Sequence, residues 1–156
     1  MFRLNRLTDY AVVVLSQMTQ HPAEFWTAQR IAQGTGVPLP TAAKLLNSLA
    51  NAGLIKSQRG AAGGYSLKLA ADKVTVAQII QALEGPIALT ACVEGAPGNG
   101  CDVESLCPMR GNWDKVNKAI RGALSQVTLA DMACNFMLFP PPEEPEVRAG
   151  AARPAD

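Results

Sequence analysis

Glycine and proline residues between positions 27 and 65 constrain the fold more than any other feature of the sequence. The segment Gly34-Thr35-Gly36-Val37 separates two short stretches of helical periodicity, and the second stretch ends at Gly53. Glycine readily adopts the left-handed backbone conformation that ends many helices, so these residues mark turns and helix ends. The spacing predicts two short helices joined by a tight turn, as in a helix-turn-helix.

Helical periodicity predicts three helices before residue 54. The first is expected over 9–19 with Thr8 as its cap, and the second over 28–33 with Thr27 as its cap. The third begins near Pro40, which suits a first helical turn because no backbone donor is needed there. The apolar residues expected to face inward are Leu7, Ala11, Val14, Leu15, Met18, Ile31, Leu45, Leu46, Leu49 and Ala52.

Two short extended segments follow the third helix. They are expected over 54–57 and 65–69, and the glycine-rich stretch 58–64 between them is typical of a hairpin tip. Thr75 is expected to cap a fourth helix that ends at Gly85-Pro86. A hairpin directly after a helix-turn-helix predicts a mainly α fold: a winged helix-turn-helix domain with a two-stranded wing.

Charge is unevenly distributed, although the formal net charge is only +1. Residues 1–80 contain eight Lys or Arg and three Asp or Glu, whereas residues 81–156 contain six and ten. A basic first half favours a polyanion such as DNA, because cationic side chains neutralise phosphates and release counterions. The alternative is a random scatter of charge on a solvated surface.

Several classes of protein are disfavoured by the composition. No apolar run approaches the roughly 20 residues that span a bilayer, and no apolar stretch of a secretory signal follows the first residues. The one histidine, His21, stands alone before a proline, and no phosphate-binding loop is present. The sequence therefore predicts a cytoplasmic protein that is not an enzyme.

The polar side of the third helix and the tip of the hairpin are the candidate DNA-binding surface. A helix fits the major groove, which is about 12 Å wide, and the basic hairpin tip can enter a narrow minor groove. The alternative is a three-helix bundle whose hairpin binds nothing. The candidate DNA-binding residues are Thr41, Lys44, Asn47, Ser48, Arg59, Gly60, Gly63, Gly64 and Tyr65.

A cysteine loop follows the predicted winged helix. Residues 90–111 contain three of the four cysteines, four glycines and two prolines, so no packed core can order them. Thiolates select soft metals such as iron–sulfur clusters, zinc or copper, but the close cysteine pair of structural zinc sites is missing. Zinc, buried structural cysteines, a disulfide and a thiol-only redox switch remain alternatives. The candidate metal ligands are Cys92, Cys101 and Cys107, whereas Cys134 is expected to be a packed apolar residue.

The last third of the chain predicts two helices and a tail. A long amphipathic helix is expected over 112–126, Thr128-Leu129-Ala130-Asp131 resembles a capping box for a short helix, and the proline-rich tail from Pro140 is expected to be disordered. The predicted organisation is a winged-helix DNA-binding domain over 1–86, a cluster loop over 87–111, a helical dimerisation unit over 112–139 and a tail over 140–156.

Taken together, these motifs resemble one known family, the iron–sulfur winged-helix transcription regulators, the group containing IscR, NsrR and RirA. The similar segments are 2–11 (FRLNRLTDYA), 51–55 (NAGLI), 59–65 (RGAAGGY) and the three-cysteine loop with its following helix. The segments that look most like the subgroup regulating the SUF cluster-assembly operon are 83–86 (LEGP), 89–92 (LTAC), 112–113 (NW) and 125–132 (SQVTLADM).

The resemblance implies a homodimer, a bound cluster and an operator. The long helix would cross its partner, with Trp113, Val116, Ile120 and Leu124 at the interface. The three loop cysteines would ligate a [2Fe–2S] or [4Fe–4S] cluster whose state modulates DNA affinity, in a repressor of SUF-type genes. A nitric-oxide-responsive or iron-responsive regulator and a zinc or thiol-redox repressor are the alternatives.

Two departures from the family pattern concern the cluster ligands. Eight residues separate the first two loop cysteines, where IscR-like members have five, and Arg110 stands where those members have a histidine. Asp9 matches the position from which nitric-oxide-sensing members donate a carboxylate across the dimer. Asp9 is therefore the candidate fourth ligand, with helix capping as its alternative role. The other candidates are Glu94, Asp102, Glu104, Cys134 and an exogenous thiol or water.

Overall fold

Three helices, a hairpin and three further helices follow one another in the computed structural model, which describes residues 4–60, 62–97, 101–109 and 111–133. The elements in chain order are α1 Arg6–Met18, α2 Ala28–Thr35, α3 Leu39–Asn51, β1 Ile55–Gln58, β2 Gly64–Leu67, α4 Val76–Glu84, α5 Asn112–Gln126 and α6 Leu129–Ala133. Single 3₁₀ turns cover Ala71–Lys73 and Glu104–Leu106. None of the described helices combines the length and apolar character that crossing a membrane requires.

The beginning of α1 differs from its prediction. The helix starts at Arg6, and the Asn5 side chain caps it by accepting a hydrogen bond from the amide of Leu7 at 3.1 Å. Thr8, the predicted cap, lies inside the helix and is only 1% exposed, so that prediction was wrong. Asn and Thr both cap helices well. Thr8 is buried against the rest of the chain, so the exposed Asn5 serves as the cap instead.

The turn after α2 is shorter than expected. The helix continues through Gly34 and ends at Gly36, whose φ of +73° is left-handed. The predicted cap Thr27 is confirmed, because its side chain accepts from the amide of Arg30 at 3.1 Å. Gly34 remains helical beside the buried Gln17 side chain, which a Cβ at Gly34 would meet at 3.4 Å.

The wing is a two-stranded antiparallel hairpin. Its register pairs Ile55 with Leu67 and Gln58 with Gly64, so both strands differ by one or two residues from the predicted ranges. Trp26, in the connection before α2, pairs with Tyr65 on the other side of β2: the Trp26 amide donates to the Tyr65 carbonyl at 2.7 Å, and the Tyr65 amide donates back at 2.9 Å. The hairpin is thereby attached to the helical unit.

One apolar core joins the beginning and the end of the described chain. Leu15 of α1 and Leu46 of α3 are fully buried in it, and so is Leu129 of α6. Backbone hydrogen bonds on either side of Thr128 hold the end of the described chain against the segment before α4. The Val76 amide donates to the Val127 carbonyl at 2.9 Å, and the Leu129 amide donates to the Val74 carbonyl at 2.7 Å. The segment after α5 thus completes the core of the winged helix.

The predictions for α4, α5 and α6 agree closely with the structure. Thr75 and Gln78 form a reciprocal capping box at the start of α4, and Gly85 follows its end with a φ of +84°. The bounds of α5 are the predicted ones. Thr128 and Asp131 exchange backbone and side-chain hydrogen bonds at the start of α6, which lower the pKa of the Asp131 carboxyl.

Glu84, the last residue of α4, holds the start of α1. Its Oε1 accepts a hydrogen bond from the Asn5 amide at 3.0 Å and another from the Thr8 hydroxyl. A carboxylate is favourable at a helix N-terminus, where unpaired amides and the helix dipole carry positive charge. This contact fixes the end of α4, three residues before the buried Ile87, relative to α1.

Replacing this carboxylate should loosen the junction of α1 and α4. Glu84→Ala removes two hydrogen bonds to a charged group, so the free energy of unfolding should fall by about 1–2 kcal/mol. Urea unfolding followed by circular dichroism measures the change. The control is Glu24→Ala, which removes an exposed ion pair with Arg30 and should cost well under about 1 kcal/mol. Equal losses in the two variants would contradict this role of Glu84.

Candidate nucleic-acid interface and cysteine loop

The polar candidate residues of α3 lie on the side of the helix that faces away from the core. Leu45, Leu46 and Leu49 are at most 1% exposed. Lys44 and Asn47 are exposed on the opposite side, and Thr41 and Ser48 are half-buried at its margin. The helical period brings these four side chains to one surface, which the rest of the described chain leaves free to contact a ligand.

Arg59 extends the polar surface at the tip of the hairpin. It is exposed and directly follows β1, and Gly60 after it has a φ of +114°. Lys56 lies exposed on β1 and adds a second cation to the wing. Lys56 is not among the residues predicted from the sequence. Successive side chains of a strand point to opposite faces, so the neighbour of the buried Ile55 is expected to point outward.

The backbone geometry of the hairpin requires glycine at two positions of the wing. A Cβ at Gly63 would lie 2.3 Å from the carbonyl oxygen of Gln58, and a Cβ at Gly64 would lie 2.7 Å from that of Trp26. Both distances are far inside van der Waals contact, so a side chain would prevent closure of the hairpin and its pairing with Trp26. Their predicted approach to a DNA phosphate stays a prediction.

A hydrogen bond between side chains joins the wing to α3. The Tyr65 hydroxyl donates to Oδ1 of Asn47 at 2.8 Å. Both residues are sequence-predicted members of the DNA surface, but they are 18 positions apart, and no periodicity connects them. The structure therefore brings the helix and the wing into one continuous surface.

The three loop cysteines are free thiols of intermediate exposure, so the structure contains no disulfide between them. Cys92 lies 3.2 Å from the Thr90 hydroxyl. Within the described ranges, no three His, Cys, Asp or Glu side chains are close enough together to hold one metal ion. The structure thus does not gather Cys92, Cys101 and Cys107 into a preformed site, and it does not add Asp9 to them.

Asp9, the candidate fourth ligand, is exposed in the first turn of α1. That position also fits its alternative role, because an acidic residue is favourable at a helix N-terminus. Arg110 and Cys134 lie outside the described residues, as do residues 98–100 between the first two loop cysteines. The set of three free thiols fits a soft metal or an iron–sulfur cluster in its chemistry.

The start of the cysteine loop is attached to α5 by side chains that sequence analysis missed. Asn117 is only 3% exposed. Its Nδ2 donates to the Ile87 carbonyl at 3.1 Å, and its Oδ1 accepts from the Leu89 amide at 3.2 Å. Asp114, one turn earlier, accepts from the Glu94 amide at 3.2 Å. The signal in the sequence was a polar residue between Val116 and Ile120 on the apolar side of the helix.

The predicted dimerisation residues of α5 divide into two groups. Ile120 and Leu124 pack against Val76, Ala77, Ile80 and Ile87 of their own chain. Trp113 and Val116 are 41% and 44% exposed. The exposed apolar side chains continue into the loop, where Leu106 is 91% exposed. Dimerisation through this surface remains a prediction.

Comparison with known proteins places the fold. Residues 4–135 match the Rrf2 family, described as an iron-dependent transcriptional regulator. The HTH-type transcriptional regulator CymR of Bacillus subtilis is 33% identical over 125 residues, which are 80% of this chain and 84% of CymR. Its solved structure, described as that of the global cysteine regulator, has a TM-score of 0.65 at 30% identity, covering 85% of this chain and 97% of the other.

Two further relatives extend the comparison. The HTH-type transcriptional repressor NsrR of Streptomyces coelicolor is 29% identical over 132 residues, which are 83% of this chain and 87% of NsrR. The structure of IscR from T. potens has a TM-score of 0.58 at 30% identity, covering 84% of this chain and 85% of that chain. The winged-helix fold predicted from the sequence is confirmed by these neighbours.

Removing the Asn117 amide should release the start of the cysteine loop. Asn117→Ala leaves the Ile87 carbonyl and the Leu89 amide without their partners, which should lower the free energy of unfolding by about 2–3 kcal/mol. Hydrogen exchange should show the loss of protection at Leu89. The control is Lys118→Ala at the next, exposed position, which should be near neutral. Unchanged protection at Leu89 in the Asn117 variant would contradict the attachment.

Proposed function

Because this chain belongs to the Rrf2 family of transcriptional regulators, we propose that it is a dimeric DNA-binding repressor controlled by an iron–sulfur cluster. The observation that carries the proposal is a loop of three free thiols attached to α5 directly behind a winged helix with an exposed polar surface. The operator would be double-stranded DNA in the cytoplasm.

The DNA side of the proposal rests on α3 and the wing. Lys44 and Asn47 offer donors to base edges or phosphates from the exposed side of α3, and Arg59 offers a guanidinium from the wing. A helix in the major groove with a basic wing beside it is a usual arrangement for such domains. The apolar side of α3 is fully buried, so docking on DNA would need no rearrangement of the core.

The cluster side rests on the donor set. Cys92, Cys101 and Cys107 would hold a [2Fe–2S] or [4Fe–4S] cluster, and Asp9 is the proposed fourth ligand. When bound, such a cluster supplies a centre that responds to iron, oxygen or nitric oxide. Its binding requires the thiols as thiolates and the closure of the loop, whose first part is already attached to Asn117 and Asp114.

The attachment of the loop to α5 suggests how the presence or absence of a cluster could change the position of the DNA-binding surface. Cluster binding by the loop cysteines would act on α5 through Asn117, which holds Ile87 and Leu89 at the start of the loop, and on the end of α4 through the buried Ile87. Glu84, three residues earlier, holds the start of α1. A switch needs different affinities for two arrangements of the DNA-binding heads, and a typical coupling free energy of about 1–3 kcal/mol changes DNA affinity about 5–150-fold.

The finer role proposed is control of SUF-type cluster-assembly genes. It is supported by the resemblance of segments 83–86, 89–92 and 125–132 to that subgroup, and a repressor is supported by the similarity to the repressor NsrR. A nitric-oxide or iron response of the same site would use the same ligands.

A thiol-based regulator is the second candidate. It is favoured by the similarity to CymR, described as a cysteine regulator, and by the absence of any gathered metal-binding group among the described residues. A zinc site or a thiol-redox switch would use the same cysteines without iron. Iron content separates these candidates from the cluster directly.

Protein purified without oxygen should be coloured and contain iron and sulfide in equal amounts. Cys92→Ala, Cys101→Ala or Cys107→Ala should remove the colour and most of the iron, because each removes a ligand. Visible absorption with iron and sulfide assays measures both. The control is Lys118→Ala on the exposed side of α5, which should keep both. A colourless wild type after reconstitution, or normal iron in a loop variant, would reject the cluster assignment.

The wing should contribute through a phosphate or minor-groove contact. Arg59→Ala should weaken binding to an operator selected from random duplexes, and the slope of log affinity against log salt should fall by about 0.9. Fluorescence anisotropy across a salt series measures both. The control is Lys73→Ala, whose side chain is 72% exposed in the turn that packs with α6. An unchanged slope for Arg59→Ala would remove the wing arginine from the interface.

A further inference from the structure

We infer that Tyr65 is a positioning residue for base recognition, which orients the Asn47 amide so that its Nδ2 donors face the DNA. The inference rests on the proposed function, since it concerns how the proposed DNA surface chooses a base. It is carried by the 2.8 Å hydrogen bond from the Tyr65 hydroxyl to Oδ1 of Asn47. Asn47 is exposed, whereas Tyr65 is half-buried behind it.

Tyr65 is well placed to fix the orientation of a neighbouring side chain. Its backbone is hydrogen-bonded to Trp26 in both directions, at 2.7 and 2.9 Å, and Trp26 itself is only 3% exposed. On the other strand Tyr65 pairs with Ser57. Because the Tyr65 amide and carbonyl are both bonded to Trp26 and the ring has only two side-chain torsions, the hydroxyl occupies a defined position.

The hydroxyl favours one orientation of the Asn47 amide, because a phenol donates a hydrogen bond more strongly than it accepts one and therefore prefers Oδ1 as its partner. A free asparagine can turn its amide to present either the carbonyl oxygen or the NH₂ group to a base. Among the described residues, Tyr65 is the partner of Oδ1. Since the amide is planar, fixing Oδ1 on the wing also fixes the direction of Nδ2 and leaves its hydrogens for another acceptor.

This orientation has a consequence for base preference. In the major groove, purine N7, guanine O6 and thymine O4 are acceptors, whereas cytosine presents an N4 donor. An amide that presents donors should favour the acceptors and disfavour cytosine. Without the hydroxyl, Asn47 could turn and accept from cytosine, so Tyr65 is expected to determine specificity without touching a base.

The experiment uses full-length protein and an operator selected from random duplex DNA. The position contacted by Asn47 is the one where Asn47→Ala removes base preference, and four duplexes that differ only there are compared by anisotropy. The wild type should bind the cytosine duplex at least about fivefold more weakly than the best one, the lower end for a good base contact. Tyr65→Phe, which removes only the hydroxyl, should reduce that ratio to about twofold or less.

Two comparisons separate positioning from a structural role. In the Asn47→Ala background, Tyr65→Phe should change the base preference no further, because the residue acts through Asn47. The slope of affinity against salt should stay at the wild-type value, because no phosphate contact is lost. Tyr10→Phe, at the other tyrosine of the chain, should leave the base preference unchanged.

The possible results are distinct. A Tyr65→Phe protein with the full wild-type base preference would overturn the inference, and so would one that loses affinity equally for all four duplexes with a smaller salt slope. The second result would make Tyr65 a phosphate contact or a support of the wing. A wild type that selects no sequence would instead reject the proposed DNA-binding function, and the inference with it.

Discussion

Burial of the leucine side of α3 is the interaction on which the rest of the structure depends. Leu45, Leu46 and Leu49 are at most 1% exposed, and their burial against α1 and α2 leaves the polar side of the same helix outward. Full burial of such side chains contributes about 1.5–3 kcal/mol each, and three of them act together on this one helix. The wing follows α3 directly, so its position and that of the DNA surface derive from this packing.

Outside the apolar core, hydrogen bonds of polar side chains hold the chain in place. The cysteine loop contains few side chains that could pack, and its first part is instead held by the Asn117 amide, which is buried with both of its polar atoms bonded. A buried amide is favourable only when its hydrogen bonds are made. At the last residue of α4, three positions before Ile87, the Glu84 carboxylate joins two helices by the same kind of contact. The two contacts form a physical connection from the loop to α1.

Local signals explain which predictions from the sequence were correct. The caps of α2, α4 and α6 and the bounds of α5 depend on residues within a few positions of one another, and the structure agrees with them. The prediction for the start of α1 was wrong because two good capping residues, Asn5 and Thr8, stand three positions apart. Burial of Thr8 against Glu84, 76 positions away, decided between them.

The sequence by itself determined the winged helix, the polar side of α3 and the loop of three thiols, because periodicity, caps and glycine turns act over short distances. Only the tertiary structure decided that Tyr65 holds Asn47, that Asn117 attaches the loop, and that Ile120 and Leu124 pack within their own chain. These contacts join residues that are 18 to about 50 positions apart, and each exists because burial of separate apolar surfaces brings its two partners together.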